Sequence, residues 1–284
     1  TLVFCLRRFK MKNNYFTTNV SDIQLILNEI KCCFKIQELK KIHFIALSEI
    51  KLKYRRSIIG PLWITLSILM YTLGISFFFS VVLNRDFQEY VSHVCVGIVF
   101  WTFLTASFLE STSSLSHDLS SYKASRVSYT FFFLKNFYKN LIYLIHHSLY
   151  LILFLFFIGD LDLSLYSIVL FLLPLPIILN IQIMISIISS RYDDFPPIIA
   201  NLMQLLFFTV PILWGVNDLD GFEIFKKIAE FNPFYQMLIS FKSVFNMKYL
   251  VNLNIGYILI YYILTSGIAF WLFRKTYRRI SNWS

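Results

Sequence analysis

The sequence predicts an all-α integral membrane protein with six transmembrane helices. Of its 284 residues, 57% are apolar and 15% charged, against roughly 25% charged in a soluble globular domain. Six apolar stretches approach the ~20 residues that a helix needs to cross a hydrocarbon core. Lys and Arg concentrate in alternate segments between those stretches, as the positive-inside rule requires. The formal charge of +10 does not argue for nucleic acid, because such a binder needs a basic face on a soluble module and these cations stand between apolar runs.

The first residues, TLVFCLRRFK, hold too short an apolar run for a signal peptide and no small-residue cleavage site. Met11-Lys12-Asn13-Asn14 has the form of an ordinary start, which would make residues 1–10 an extension ahead of it. Residues 20–56 place apolar side chains at helical spacing (Ile23, Leu25, Ile26, Ile30, then Ile42, Phe44, Ile45, Leu47, Ile50) with Lys and Arg interleaved. This is the pattern of a basic amphipathic helix lying in the headgroup plane; a flank that serves topology alone is the simpler alternative. The run KLKYRRSIIGPLW then brings Lys51, Lys53, Tyr54, Arg55 and Arg56 directly against the first span.

The spans are read at 58–83, 91–110, 139–158, 165–190, 197–214 and 254–273. Both termini are therefore expected in the cytosol, with 1–57 a cytosolic N-terminal region, 58–273 the membrane domain and 274–284 a cytosolic tail. The one long external segment, 215–253, carries Asp218, Asp220, Glu223 and Glu230 and alternates apolar with polar residues. It is read as one or two re-entrant or interfacial helices.

Candidate chemistry is sparse. None of the eight glycines is followed by Lys, so the chain has no P-loop, and any ATPase it works with is another polypeptide. The four cysteines show no CxxC and no His at ligand spacing, and read as reduced structural thiols. Within the spans the notable ionisable residues are His93 near a membrane edge and His146-His147. Neighbouring helix positions point about 100° apart, so the pair cannot share one metal, and a hydrogen-bonded structural role is expected. Asp193-Asp194 has the look of a catalytic acid pair, but it precedes Pro196-Pro197 in the manner of a helix start, and a capping or surface role is expected. No catalytic, cofactor or metal residue is assigned. The many aromatic residues suit membrane anchoring; the apolar faces of sugar rings would also stack on them.

Three stretches carry a family resemblance. Lys53-Tyr54-Arg55-Arg56-Ser57-Ile58-Ile59-Gly60-Pro61-Leu62-Trp63 is similar to a basic-Tyr-basic-x-Ser-x-x-Gly-x-x-Trp lead into span one. Arg191-Tyr192-x-Asp194, Asn201 and Phe207-Phe208-x-x-Pro211-Ile212-x-Trp214 resemble the turn into span five and its outer end, and Asn232-Pro233-Phe234-Tyr235 the loop before the last span. In this order the motifs resemble the permease subunit of bacterial ABC exporters for polysaccharides, the O-antigen, capsule and teichoic-acid permeases, with GPLWITLS leaning to the O-antigen branch. Two positions depart from the pattern: Ser128 and Ile68 stand where relatives often have proline.

The resemblance implies a homodimer in the inner membrane, with two copies of a separate ATPase that bind ATP and Mg. It implies an undecaprenyl-diphosphate-linked polysaccharide as substrate, passing between the protomers among membrane lipids, with no nucleic acid involved. A short coupling helix would fall within 116–129, with His117, Asp118, Ser121, Tyr122, Lys123 and Arg126 facing the ATPase. Lys51, Lys53, Tyr54, Arg55 and Arg56 would lie where substrate is admitted, and Trp63, Tyr71, Phe207, Phe208 and Trp214 are candidates for the channel lining. Other readings of the residues are a permease for teichoic acid, capsule or another amphiphile, a membrane-embedded lipid-phosphate glycosyl- or phosphotransferase using Asp193-Asp194, and a pore or scaffold.

Overall fold

The computed structural model describes residues 22–60, 62–125, 128–164, 166–219, 221–280 and 283. Two helices, α1 (Asp22–Cys33) and α2 (Ile36–Lys53), precede a bundle of α3 (Leu62–Val82), α4 (Phe87–Ser125), α5 (Tyr129–Ile158), α6 (Ser167–Leu172), α7 (Leu175–Ser189) and α8 (Phe195–Thr209). The segment after α8 holds α9 (Glu223–Phe231) and α10 (Pro233–Phe245), with 3-10 turns at Val216–Leu219 and Met247–Asn252, and leads into α11 (Ile255–Thr276). Among the described residues there is no strand beyond a lone bridge between Asp162 and Asn246.

Among the described residues, five units are long and apolar enough to cross a membrane: α3, α4 as far as Leu115, α5, α6 together with α7, and α11. The chain is an all-helical, multi-pass membrane protein. The stretch expected as a fifth span, 197–214, holds the shorter apolar helix α8, whose 15 residues cover about 22 Å at 1.5 Å per residue, and continues past it as non-helical backbone. Pro196 and Pro197 suit its first turn, where their missing N–H groups cost nothing. Pro211 disfavours the helical conformation in the residue before it, and Val210 is extended at φ −87°, ψ 135°. Beyond it, Ile212 and Leu213 are buried, and the Cγ2 of Ile212 would stand 3.2 Å from a Cβ placed on Gly97. This non-helical backbone is thus covered by protein, the condition under which a membrane fold tolerates it.

α4 is the axis of the molecule. It packs against α3, α5, α7, α8 and α10, and Val94, Val99, Phe100, Leu104 and Phe108 along it are buried. Its 39 residues span about 58 Å, nearly twice the hydrocarbon thickness. The stretch 116–129, expected to hold a separate short coupling helix, instead continues α4 to Ser125, because SHDLSSYKAS contains neither Gly nor Pro to interrupt it. Ser128 then caps α5, its hydroxyl accepting from the Phe131 N–H at 3.3 Å. The other departure from the family pattern, Ile68, is a buried core residue.

The loops gather at two ends. At one, Cys33 Sγ meets Ser128 Oγ at 3.2 Å, the Tyr277 hydroxyl donates to Glu29 at 2.6 Å, and the Arg191 guanidinium lies 5.5 Å over the Trp283 ring. α1, α2, the α4–α5 and α7–α8 connections and the C-terminus therefore share this end. At the other, Arg85 pairs with Asp218, Gln88 donates to the Ile158 carbonyl at 2.7 Å, and Lys248 reaches Asp160 at 3.1 Å.

Both leading helices dock on the bundle as well as exposing apolar residues. α2 buries Ile42, Ala46 and Ile50, one residue per turn, and packs on α5, while Phe44 and Leu52 are exposed. Burial pushes the Glu29 carboxyl above its ordinary value and the Cys33 thiol up to about 11, so this thiol is inert. Cys32, Cys33 and Cys95 form no disulfide; Cys5 lies outside the described residues.

The segment expected to be external divides in two. α9 exposes Ile224, Phe225, Ile228 and Phe231 along one side. α10 is buried from Tyr235 through Phe245 without a break, Phe241 stacking on Phe100 of α4 with ring centroids 5.0 Å apart. Its polar residues Gln236, Ser240, Lys242 and Ser243 suggest a water-facing side in the sequence, yet they find partners within the fold: Ser240 donates to the Leu170 carbonyl at 2.8 Å, and the Gln236 side chain accepts from the Asn254 N–H at 2.9 Å.

Candidate functional site

α3, α4 and α8 leave a groove along their common side. Its wider part, about 690 Å³, is lined by Tyr71, Trp101, Thr105, Gln204, Phe207 and Phe208 among others. Trp101 and Phe207 face one another with centroids 6.0 Å apart, and Phe208 is 69% exposed. A second cavity of about 310 Å³ reaches toward the end that holds the termini, bounded by Lys53, Tyr54, Glu110, Asn140, Tyr143 and His147. The two share Tyr71, Thr102 and Ala106 as lining. The two therefore adjoin along one line, with Lys53, Glu110 and polar groups at the end nearer the termini and aromatic rings farther on.

The sequence supplies each wall for a local reason. α3 begins after a turn in which Gly60 takes φ 62°, a left-handed conformation that glycine adopts without strain. α3 is tied to α5 where Thr65 Oγ1 and His146 Nε2 lie 2.6 Å apart. His147, on the adjacent position, turns into the core and lines the smaller cavity. The pair thus splits its roles as helix geometry requires, one residue bonding across the bundle.

Around the smaller cavity stands a charge network absent from the sequence reading. Lys135 reaches Glu49 at 2.8 Å, and Lys139 bridges Glu49 at 3.2 Å and Glu110 at 3.1 Å. Asn140 donates to Glu110 at 3.0 Å. Burial pushes the Glu49 carboxyl up, but Lys135 and Lys139 outweigh it and hold the group below its ordinary value. The network locks α2 to α4 and α5. Its members sit at span edges, where charge is commonplace; only the joint presence of Glu110, Lys135 and Lys139 near the ends of two apolar helices signals it.

The residues singled out in the sequence fall as follows. Lys53 and Tyr54 line the smaller cavity, the Lys53 ammonium lying 5.6 Å over the Tyr143 ring, and burial raises the Tyr54 phenol. Lys51, Arg55 and Arg56 are exposed beside it. Tyr71, Phe207 and Phe208 come together on the groove. Trp63 is exposed at the second position of α3, and Trp214 stands apart, its indole N–H donating to the Phe208 carbonyl at 3.1 Å. His117, Asp118, Ser121, Tyr122 and Lys123 belong to the last turns of α4, with side chains outside the described part; Arg126 lies outside the described residues. Asp193 and Asp194 are exposed at the α7–α8 turn. Asp194 occupies the N-cap position but makes no capping bond, since its backbone is already helical and its carboxylate faces water. Of the capping and surface roles expected for it, the structure shows the surface one; the two prolines start α8. Among the described residues, no group of three His, Cys, Asp or Glu side chains is placed to hold a metal.

No protein-family model matches the chain. A curated protein from Myxococcus xanthus described as the O-antigen export system permease protein RfbA is 23% identical over 202 residues, covering 69% of this chain and 76% of that protein. The chain thus resembles an O-antigen export permease over most of its length, in agreement with the three sequence motifs.

Proposed function

We propose that this chain is the transmembrane subunit of an ATP-driven exporter that carries a lipid-linked, O-antigen-like polysaccharide outward across the bacterial inner membrane. The path from Lys53 and Tyr54 through Tyr71 to Phe207 and Phe208 is the observation that carries this reading. A glycan on a lipid diphosphate has two chemistries, an anionic head and a chain of rings with apolar C–H faces. The path offers cations for the first and aromatic faces for the second. Likeness to an export permease supports the same conclusion.

Lys51, Lys53, Arg55 and Arg56 attract the diphosphate at the cytosolic surface, where each cation near an anionic headgroup contributes about 1 kcal/mol. The hydroxyls of Thr102 and Thr105 and the Gln204 amide then face sugar hydroxyls while the rings slide over Tyr71, Trp101 and Phe207. Met70, Phe77, Leu205 and Phe208 remain exposed on α3 and α8, and a second copy of the chain closing over this side turns the groove into a channel. α8 with residues 210–214 makes the sixth crossing, so that both termini lie in the cytosol. ATP and Mg bind a separate ATPase, two copies of which press on the α4–α5 connections; this chain itself catalyses no reaction.

Replacing Arg55 and Arg56 together by Gln tests this reading. Surface polymer is expected to fall roughly tenfold while lipid-linked polymer accumulates inside, with insertion and amount of the protein unchanged. Normal export by a correctly inserted double variant would remove these arginines from the substrate path.

A further inference from the structure

At the end of the bundle remote from the termini lies a separate cavity of about 550 Å³, bounded by Arg85, Glu89, His93, Lys242, Lys248 and Tyr249 among others. Lys242, from α10, is 0% exposed. Its ammonium stands 3.0 Å from His93 Nε2, 3.4 Å from the Pro211 carbonyl and 5.6 Å from the centre of the Tyr249 ring. Among the described residues no carboxylate lies within ion-pair distance of it. His93, which lines the cavity with Lys242, is partly exposed; its Nε2 also lies 3.3 Å from the Trp214 carbonyl and its Nδ1 3.4 Å from the Tyr249 hydroxyl.

Buried cations are ordinarily paired, since an isolated one forfeits its hydration without compensation. Most of the other charges on this cavity are already engaged. Asp218 holds Arg85 and accepts from the Gly215 N–H at 2.7 Å. Asp86 accepts from the Glu89 N–H at 3.1 Å, and Lys248 is held by Asp160, outside the lining, at 3.1 Å. The Glu89 carboxylate also lines the cavity but is exposed toward solvent. What remains is a buried ammonium beside a histidine and a tyrosine hydroxyl, with no carboxylate paired to it.

We infer that this cavity binds an anionic group, a carboxylate or phosphate, held by His93 and Tyr249 with Lys242 supplying the charge behind them. Such a group comes from a soluble ligand or exported polymer, or from a phospholipid headgroup at the membrane edge. The inference stands apart from the substrate path, which lies on another side of α4 and uses none of these residues.

Histidine carbethoxylation by diethylpyrocarbonate, read by peptide mass spectrometry, tests it on the full chain in nanodiscs at constant ionic strength. In phosphatidylcholine nanodiscs, inorganic phosphate or glucuronate is expected to slow modification of His93 at least fivefold and leave exposed His43 unchanged. Protection that appears only when phosphatidylglycerol replaces phosphatidylcholine supports the site equally and assigns its ligand to the lipid. The concentration of anion needed is expected to rise at least tenfold in Lys242→Met and to change little in Lys242→Arg. No protection of His93 in the unaltered protein under any of these conditions, or full protection retained in Lys242→Met, would overturn the inference.

Discussion

Two lysines at opposite ends show how differently one membrane fold uses the same side chain. Lys139, partly buried, stands between Glu49 and Glu110 and, with Lys135, fastens α2 to the bundle. Lys242 is fully buried, and its neighbours are an imidazole, a carbonyl and an aromatic ring. A charge with both its counter-charges in place acts as a clamp, and removing it strands its partners. A charge without one adds little to the fold and is available to something outside it.

The sharpest way to break this contrast is to make the same substitution at both places. Lys139→Met is expected to destabilise the protein by about 2–3 kcal/mol, because it leaves two partly buried carboxylates short of a charged hydrogen bond; the midpoint of denaturant unfolding in nanodiscs measures it. Lys242→Met is expected to leave the midpoint unchanged or raise stability by about 1 kcal/mol, as when a buried ionic group gives way to an apolar one of similar volume. A comparable loss at both positions would collapse the distinction. The smallest effect concerns pH. Because the Glu49 carboxyl is held below its ordinary value of 4.5, its contribution is complete above that value and is lost as pH falls through the lowered one. The wild type should therefore exceed Glu49→Gln by about 0.5–1 kcal/mol at neutral pH, after allowing for solvent screening, with the gap closing on acidification below 4.5. A gap that widens in acid would mean that Lys135 and Lys139 do not hold Glu49 ionised.

The fold class was legible because a hydrocarbon layer imposes length and polarity on every crossing segment, and α3, α5 and α11 lie within a few residues of the expected spans apart from the α5 start, which falls ten residues earlier at Tyr129. Hydropathy set the end of the α8 helix too late because it weighs Val210–Trp214 by side chain and not by backbone, and Pro211 acts on the backbone. It also could not choose between a re-entrant and an interfacial form for α10, whose polar Gln236, Ser240 and Lys242 are buried. Whether a polar residue meets water or a neighbouring helix depends on which helices pack together, and one sequence does not state that. The same limit hid the network around Glu49, which spans three helices. The basic-aromatic junction at Lys53 and Tyr54 was legible, since its location rests on adjacency along the chain; its continuity with Phe207 was not.

The length of α4 has a mechanical consequence. A helix of about 58 Å with no proline behaves as a stiff rod, gripped along its middle by five neighbours and protruding at one end. A force on the protruding end cannot be absorbed by a hinge within it, so it must appear as a tilt of the whole. A tilt of about 5° over that length displaces one tip relative to the other by about 5 Å, one helical turn. Any movement of one end of α4 is thereby tied to a movement of the other.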